Sequence, residues 1–110
     1  MITITVVLDK TGLLRRCDVR GHAGAGKRGA DIVCAAVSVL TRTALATLSG
    51  KEGICVRGGA PRRGEFNLET TAQNDTGRDF LAAVGAFLVE GLSSVALEYP
   101  ENCCITITEE

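Results

Sequence analysis

Leu13-Leu14-Arg15-Arg16-Cys17-Asp18-Val19-Arg20-Gly21-His22, residues 13–22, decides between two folds. Cys17 and Val19 point one way and Arg16, Asp18 and Arg20 the other, so the strand has one apolar and one charged face. A strand sandwiched between two helical layers is apolar on both faces. The run Arg15–Arg20 is far too polar for that, which excludes a doubly wound parallel sheet and selects a sheet with one face in water.

The same alternation extends outward. Upstream, Ile2, Ile4, Val6 and Leu8 alternate with Thr3, Thr5 and Val7 in a first strand, and Asp9-Lys10-Thr11-Gly12 turns it back into Leu13–Arg20. Downstream, Asp31 is a good N-cap for a helix reaching about Ser49, with Val33, Val37, Leu40, Ala44 and Leu48 as its apolar stripe and Gly50 as its stop. Ile54–Arg57 reads as a third strand, Gly58–Gly64 as a basic, turn-rich hairpin tip, and Glu65–Thr71 as a fourth strand with Phe66 and Leu68 on one face. A second helix starts near Asn74 or Asp75 and runs to about Leu97, with Phe80, Val84, Phe87, Leu88, Gly91 and Val95 expected inward. After Pro100, Cys103, Ile105 and Ile107 alternate with Cys104, Thr106 and Thr108 in a last strand. The order ββαββαβ predicts an α+β fold: a two-layer sandwich, a mostly antiparallel sheet of about five strands with two long helices on one face. Residues 1–110 are expected to form a single domain.

Composition narrows the function. With 45% apolar residues the chain can bury a core, and no run of 18 apolar residues or signal-peptide pattern appears, so a cytoplasmic protein without a membrane partner is expected. Five cysteines make an odd count with no CxxC pair, and in a reducing compartment most would be small buried hydrophobes. One histidine and the adjacent Cys103-Cys104 serve zinc poorly, so neither metal nor cofactor is expected. The net charge of −1 hides an asymmetry. Residues 1–63 carry eleven Lys/Arg against four Asp/Glu, and residues 64–110 carry one against nine. Such a split suits a charged partner, self-association, or simply a mixed solvated surface.

The chemistry concentrates around His22, the only histidine. It heads a loop bearing Gly21, Gly24, Gly26 and Gly29, and Cys34 follows on the expected first turn of the helix. A helix N-terminus favours a thiolate, and an imidazole nearby can take the thiol proton. Asp31 opposes this unless backbone N–H groups engage its charge or it holds the His22 imidazolium, and Ser38 shares the helix face of Cys34 one turn on. A cysteine in an apolar helix is also often plain packing, which is the reading for Cys17, Cys55, Cys103 and Cys104 in strands. Two phosphate motifs compete for the same loop. Gly24-x-Gly26-x-x-Gly29 fits a dinucleotide fingerprint, and Gly21-x-x-x-x-Gly26-Lys27 fits a P-loop except that Arg28 stands where Ser or Thr would hold magnesium. No acidic ribose ligand follows the next strand, which ends in Arg57, so a nucleotide-binding domain is the weakest of the alternatives.

Gly21-His22-Ala23, the glycine-bearing loop, and then Gly29-x-Asp31-Ile32-Val33-Cys34-Ala35-Ala36-x-Ser38 resemble the signature of the ribosomal-processing cysteine protease family called Prp. The opening Met-Ile-Thr hairpin, the two-helix order and Glu98-Tyr99-Pro100 before the last strand extend the resemblance over essentially the whole chain. It implies a bacterial, homodimeric cysteine endopeptidase with Cys34 as nucleophile and His22 as general base and acid. It also implies a substrate: the large-subunit ribosomal protein numbered twenty-seven, from which a short N-terminal extension is removed. Asp31 and Ser38 are expected to support the pair, and the loop glycines to let a peptide in. The rival reading is a non-catalytic, ribosome-associated module in which the basic N-terminal half touches RNA.

Overall fold

The computed structural model describes residues 1–22 and 30–110, and in the first helix it describes side chains from Ile32 onward. Seven elements follow in the expected order: β1 (Ile2–Leu8), β2 (Leu14–Arg20), α1 (Ala30–Leu48), β3 (Ile54–Gly59), β4 (Glu65–Ala72), α2 (Asp75–Glu98) and β5 (Cys103–Glu109). The strands form one sheet in the order β3-β4-β2-β1-β5. Three of its four pairings are antiparallel, and the fourth, β1 with β5, is parallel. The sheet is therefore mixed, because the chain reaches β5 by crossing over through α2 rather than through a hairpin.

Register sorts the side chains as the alternation requires. Ile4 stands opposite Val19 and Ile105, and Val6 opposite Cys17. Cys17 in turn stands opposite Leu68, and Val19 opposite Phe66. All of these except the half-buried Ile105 are buried, and with Val33, Val37, Leu48, Leu81, Leu88 and Leu92 from the helices they form the core. The opposite face is open and charged. Arg16 lies 3.0 Å from Glu69, Arg57 3.5 Å from Glu69, and Arg20 3.9 Å from Glu65. Two buried threonines turn their hydroxyls to backbone, Thr41 donating to the Val37 carbonyl at 2.8 Å and Thr70 to the Leu14 carbonyl at 2.6 Å. Their polarity is thereby satisfied inside the core.

Local chemistry explains the boundaries. In the β1–β2 turn the Asp9 carboxylate accepts from the Thr11 hydroxyl, the Thr11 N–H and the Leu13 N–H. These bonds, the Thr11 hydroxyl first, hold its pKa below the usual carboxylate value. Asn74 caps α2, its side chain accepting from the Gly77 N–H at 2.8 Å. The α2 stripe agrees with the expected one in part, with Phe80, Val84 and Val95 packed against the core. Gly77, Leu81, Gly85, Leu88 and Leu92 are buried, whereas Phe87, expected inward, is 74% exposed. The two glycines explain the shift. A Cβ on Gly85 would sit 3.0 Å from the Leu14 Cβ, so the helix approaches β2 along its glycine side, and Phe87 is carried outward. Gly91 does face inward as expected, against Leu40 of α1. The first helix begins at Ala30, one residue before the expected cap, so Asp31 is its second residue rather than its N-cap.

Candidate active site

The end of β2 delivers His22 to a fixed place. β2 is hydrogen-bonded on both sides, to β1 and to β4, so its exit is among the better-held points of the sheet. Antiparallel register pairs Arg20 with Glu65, and the next step brings Gly21 to Gly64, whose carbonyl accepts the Gly21 N–H at 2.9 Å. The Met1 nitrogen donates to the His22 carbonyl at 2.7 Å. Gly21 has φ +102°, and any Cβ there would collide with the Met1 carbonyl, so only glycine lets the chain turn at this point.

The imidazole itself lies on Gly64. A Cβ built on that glycine would stand 2.7 Å from His22 Nε2 and 3.0 Å from Nδ1, inside the ring's contact distance. Gly64 also has φ +81°, a conformation that side-chain-bearing residues seldom take. The turn before β4 is thus a flat seat for the ring.

Cys34 comes from the other side. It is the fifth residue of α1, half-buried and packed against the core beside buried Val33 and Val37. An expectation changes here. At the fifth position the Cys34 N–H falls beyond the first four N–H groups that a helix leaves without intrahelical partners. The donors available to an oxyanion are those of the preceding turn.

One cleft of about 610 Å³ joins these pieces. Cys34, Ser38, Thr41 and Arg42 of α1 line one wall, His22 and the Ala60–Gly64 turn line the other, and Ile2, Val19 and Phe66 supply an apolar floor. A helix wall, a turn wall and a greasy floor bound a groove lined by both Cys34 and His22. Of the expected site residues, His22, Cys34, Ser38 and Gly21 all line the cleft. The side chain of Asp31 and the loop glycines Gly24, Gly26 and Gly29 lie outside the described residues.

Sequence reading missed the wall formed by Arg62, Arg63 and Gly64. Those residues read correctly as a basic hairpin tip, but only the pairing of β2 with β4 shows which end of the sheet the tip serves. The remaining thiols differ in kind. Burial pushes Cys17 up to about 12 and also raises Cys103, so neither is a nucleophile.

The chain is similar in fold to several solved proteins. SMU.848 from Streptococcus mutans matches at 27% identity and TM-score 0.81, covering 100% of this chain and 96% of that one. The essential ribosomal processing protease Prp from S. aureus, solved in complex with a substrate peptide, matches at 23% identity and TM-score 0.80, covering 97% and 99%. The same protease with a covalently linked product peptide matches at 23% identity and TM-score 0.79, with full coverage of both chains. No curated protein matches. The family model described as cysteine protease Prp matches residues 1–104, nearly the whole length over which β2, α1 and β4 assemble the cleft, and the chain belongs to that family of cysteine proteases.

Proposed function

We propose that this cysteine protease is an endopeptidase that trims the N-terminal extension of the large-subunit ribosomal protein numbered twenty-seven, acting as a homodimer in the bacterial cytoplasm. The observation that carries the reading is the single cleft into which both His22 and Cys34 reach. The S. aureus structure with bound substrate peptide supports a ribosomal-protein peptide as the occupant.

In this reading His22 takes the proton of the Cys34 thiol, and the thiolate adds to the scissile carbonyl. N–H groups of the first turn of α1, at the positive end of the helix, stabilise the oxyanion. His22 then protonates the departing amine, and water hydrolyses the thioester to free enzyme and acid. Ser38, one helical turn beyond Cys34 and exposed to the cleft, is placed to hydrogen-bond the peptide backbone. The dimer has support in the outer helix faces, where Ile32, Val39, Phe87 and Leu97 are 59%, 64%, 74% and 85% exposed. Apolar helix faces of this extent mark an association surface.

The test is incubation of the purified protein with the ribosomal protein of its own organism, with the new N-terminus read by mass spectrometry. Cleavage that disappears in Cys34→Ala and in His22→Ala supports the reading. An intact substrate, together with ordinary iodoacetamide reactivity at Cys34, refutes it. Sedimentation of the wild type against Phe87→Glu tests the dimer.

A further inference from the structure

Resting on the reading of His22 as the general base, the residue before it takes a role of its own. Sequence groups Gly21 with the loop glycines that let a peptide in, yet its surroundings are those of a fixed point. The Gly21 N–H donates to the Gly64 carbonyl at 2.9 Å, one step beyond the last β2–β4 partners, Arg20 and Glu65. On the other flank the Met1 nitrogen donates to the His22 carbonyl at 2.7 Å, two steps beyond the pairing of Thr3 with Arg20. Both ladders of β2 thus run on past its regular end, one through Gly21 and one through His22. Between them there is no room for a side chain. A Cβ on Gly21 would overlap the Met1 carbonyl oxygen and lie 3.4 Å from its carbon, and φ +102° is a conformation that favours glycine.

We propose that Gly21 is a positioning residue that anchors His22, and not a hinge for peptide entry. Gly64 meets the histidine at two points. Its carbonyl holds the backbone just before it, through Gly21, and its bare Cα carries the imidazole. Met1 holds the backbone just after, at the His22 carbonyl. Three contacts around one residue fix both the direction in which the side chain leaves the strand and the place where the ring comes to rest. A group that takes a proton from Cys34 and returns it to a leaving amine needs that placement to within about 0.5 Å. A methyl group at residue 21 presses on the Met1 carbonyl, parts the two strand ends by roughly 1 Å and strips the His22 carbonyl of its donor. The disturbance is one peptide unit from the imidazole.

Two measurements tell an anchor from a hinge. The first needs no variant: hydrogen exchange of the wild type, read by NMR. An anchored Gly21 amide exchanges about 100-fold or more slower than an unstructured glycine, and a hinge exchanges near the unstructured rate. The second compares Gly21→Ala with Gly12→Ala, whose φ of +86° brings similar strain and whose Cβ meets nothing within 4 Å. Iodoacetamide reaches Cys34 without the passage of a peptide, so its rate reports on His22 and not on entry. In Gly21→Ala the part of that rate lost in His22→Ala should fall about tenfold, and kcat for peptide cleavage about 100-fold with KM little changed. His22 is the only histidine, so its ring signals are unambiguous, and the nuclear Overhauser contact from its Hε1 to Gly64 should vanish in the same variant. Gly12→Ala should keep all three. Fast exchange at the Gly21 amide overturns the anchor, and exchange decides alone if Gly21→Ala does not fold. Unchanged alkylation in Gly21→Ala together with a raised KM overturns it too, since that is how a hinge behaves. A wild type that cleaves nothing, with slow exchange and the Overhauser contact present, strikes the protease reading and leaves the anchor standing.

Discussion

Replacing Gly64 by alanine puts one methyl group under the His22 ring. The added Cβ falls 2.7 Å from Nε2, and ordinary contact begins near 3.4 Å, so the ring must retreat by roughly 0.7 Å. Cε1 lies nearer still and asks for more. A shift approaching 1 Å in a catalytic group costs about 10²-fold in rate. Alanine at φ +81° adds a backbone cost of about 1–2 kcal/mol, which a domain of ordinary stability survives. The two effects separate cleanly because the fold supplies its own controls. Gly12 at φ +86° and Gly50 at φ +74° carry the same backbone conformation, and a Cβ on either meets nothing within 4 Å. Gly12→Ala and Gly50→Ala should therefore lower the melting temperature about as much as Gly64→Ala and leave cleavage intact. Gly64→Ala should lose about 100-fold in kcat/KM for peptide cleavage, and its Cys34 alkylation should lose the part that depends on His22. If all three variants cleave within about threefold of one another, the ring does not rest on Gly64 in the working enzyme and the positional argument fails.

The buried thiol of Cys17 gives a pH prediction. Its pKa stands near 12 in the folded chain against 9.0 when unfolded, so the unfolded state gives up its proton first and stability is lost as pH rises from about 9 towards 12. Urea titrations should show a slope shallower in Cys17→Ala than in the wild type by about half of 1.4 kcal/mol per pH unit at pH 9, approaching about 1.4 between pH 10 and 11. Neighbouring residues of α2 should behave oppositely. Leu88→Ala removes a side chain that is 1% exposed and should cost about 2–5 kcal/mol, while Phe87→Ala should change the stability of an isolated subunit by about 0.5 kcal/mol or less, both read by urea melts. On the open face of the sheet, Glu69→Gln should leave cleavage unchanged and lower stability slightly, with the loss fading in high salt, because its partners Arg16 and Arg57 are exposed.

The parts of the fold that obey a short period were legible in the chain. Alternation placed Ile4, Val6, Cys17, Val19, Phe66 and Leu68 on the buried face, and of the α1 stripe Val33, Val37, Ala44 and Leu48 are buried while Leu40 is half-buried against the core. The inward face of α2 was read only in part: Leu88 is buried and Phe80, Val84 and Val95 pack against the core as expected, but its centre is built around Gly77 and Gly85. A glycine has no side chain for a hydrophobicity pattern to register, yet at a close helix–strand approach it marks the contact, and the large apolar Phe87 two residues on is left outside. Strand order was likewise invisible. Nothing local says that β4 pairs with β2 rather than β1, and that pairing alone brings Gly64 to His22 and Arg62 and Arg63 to the cleft. The motif spacing named the chemical groups, and the long-range register supplied the walls around them.

The charge asymmetry of the chain resolves on the same register. Four described ion pairs join an arginine of the basic N-terminal half to a glutamate of the acidic C-terminal half: Arg15 with Glu110, Arg16 with Glu69, Arg20 with Glu65 and Arg57 with Glu69. Four of the eleven Lys/Arg in residues 1–63 are therefore met inside the molecule by three glutamates, across β2–β4, β3–β4 and the end of β5. Of the described arginines in residues 1–63, Arg42, Arg62 and Arg63 have no such partner, and they stand at the groove lined by Cys34 and His22. Unpaired arginines gathered at the cleft suit contact with a ligand bound there. A phosphate-tracking surface would instead spread its unmatched charge along an exposed face.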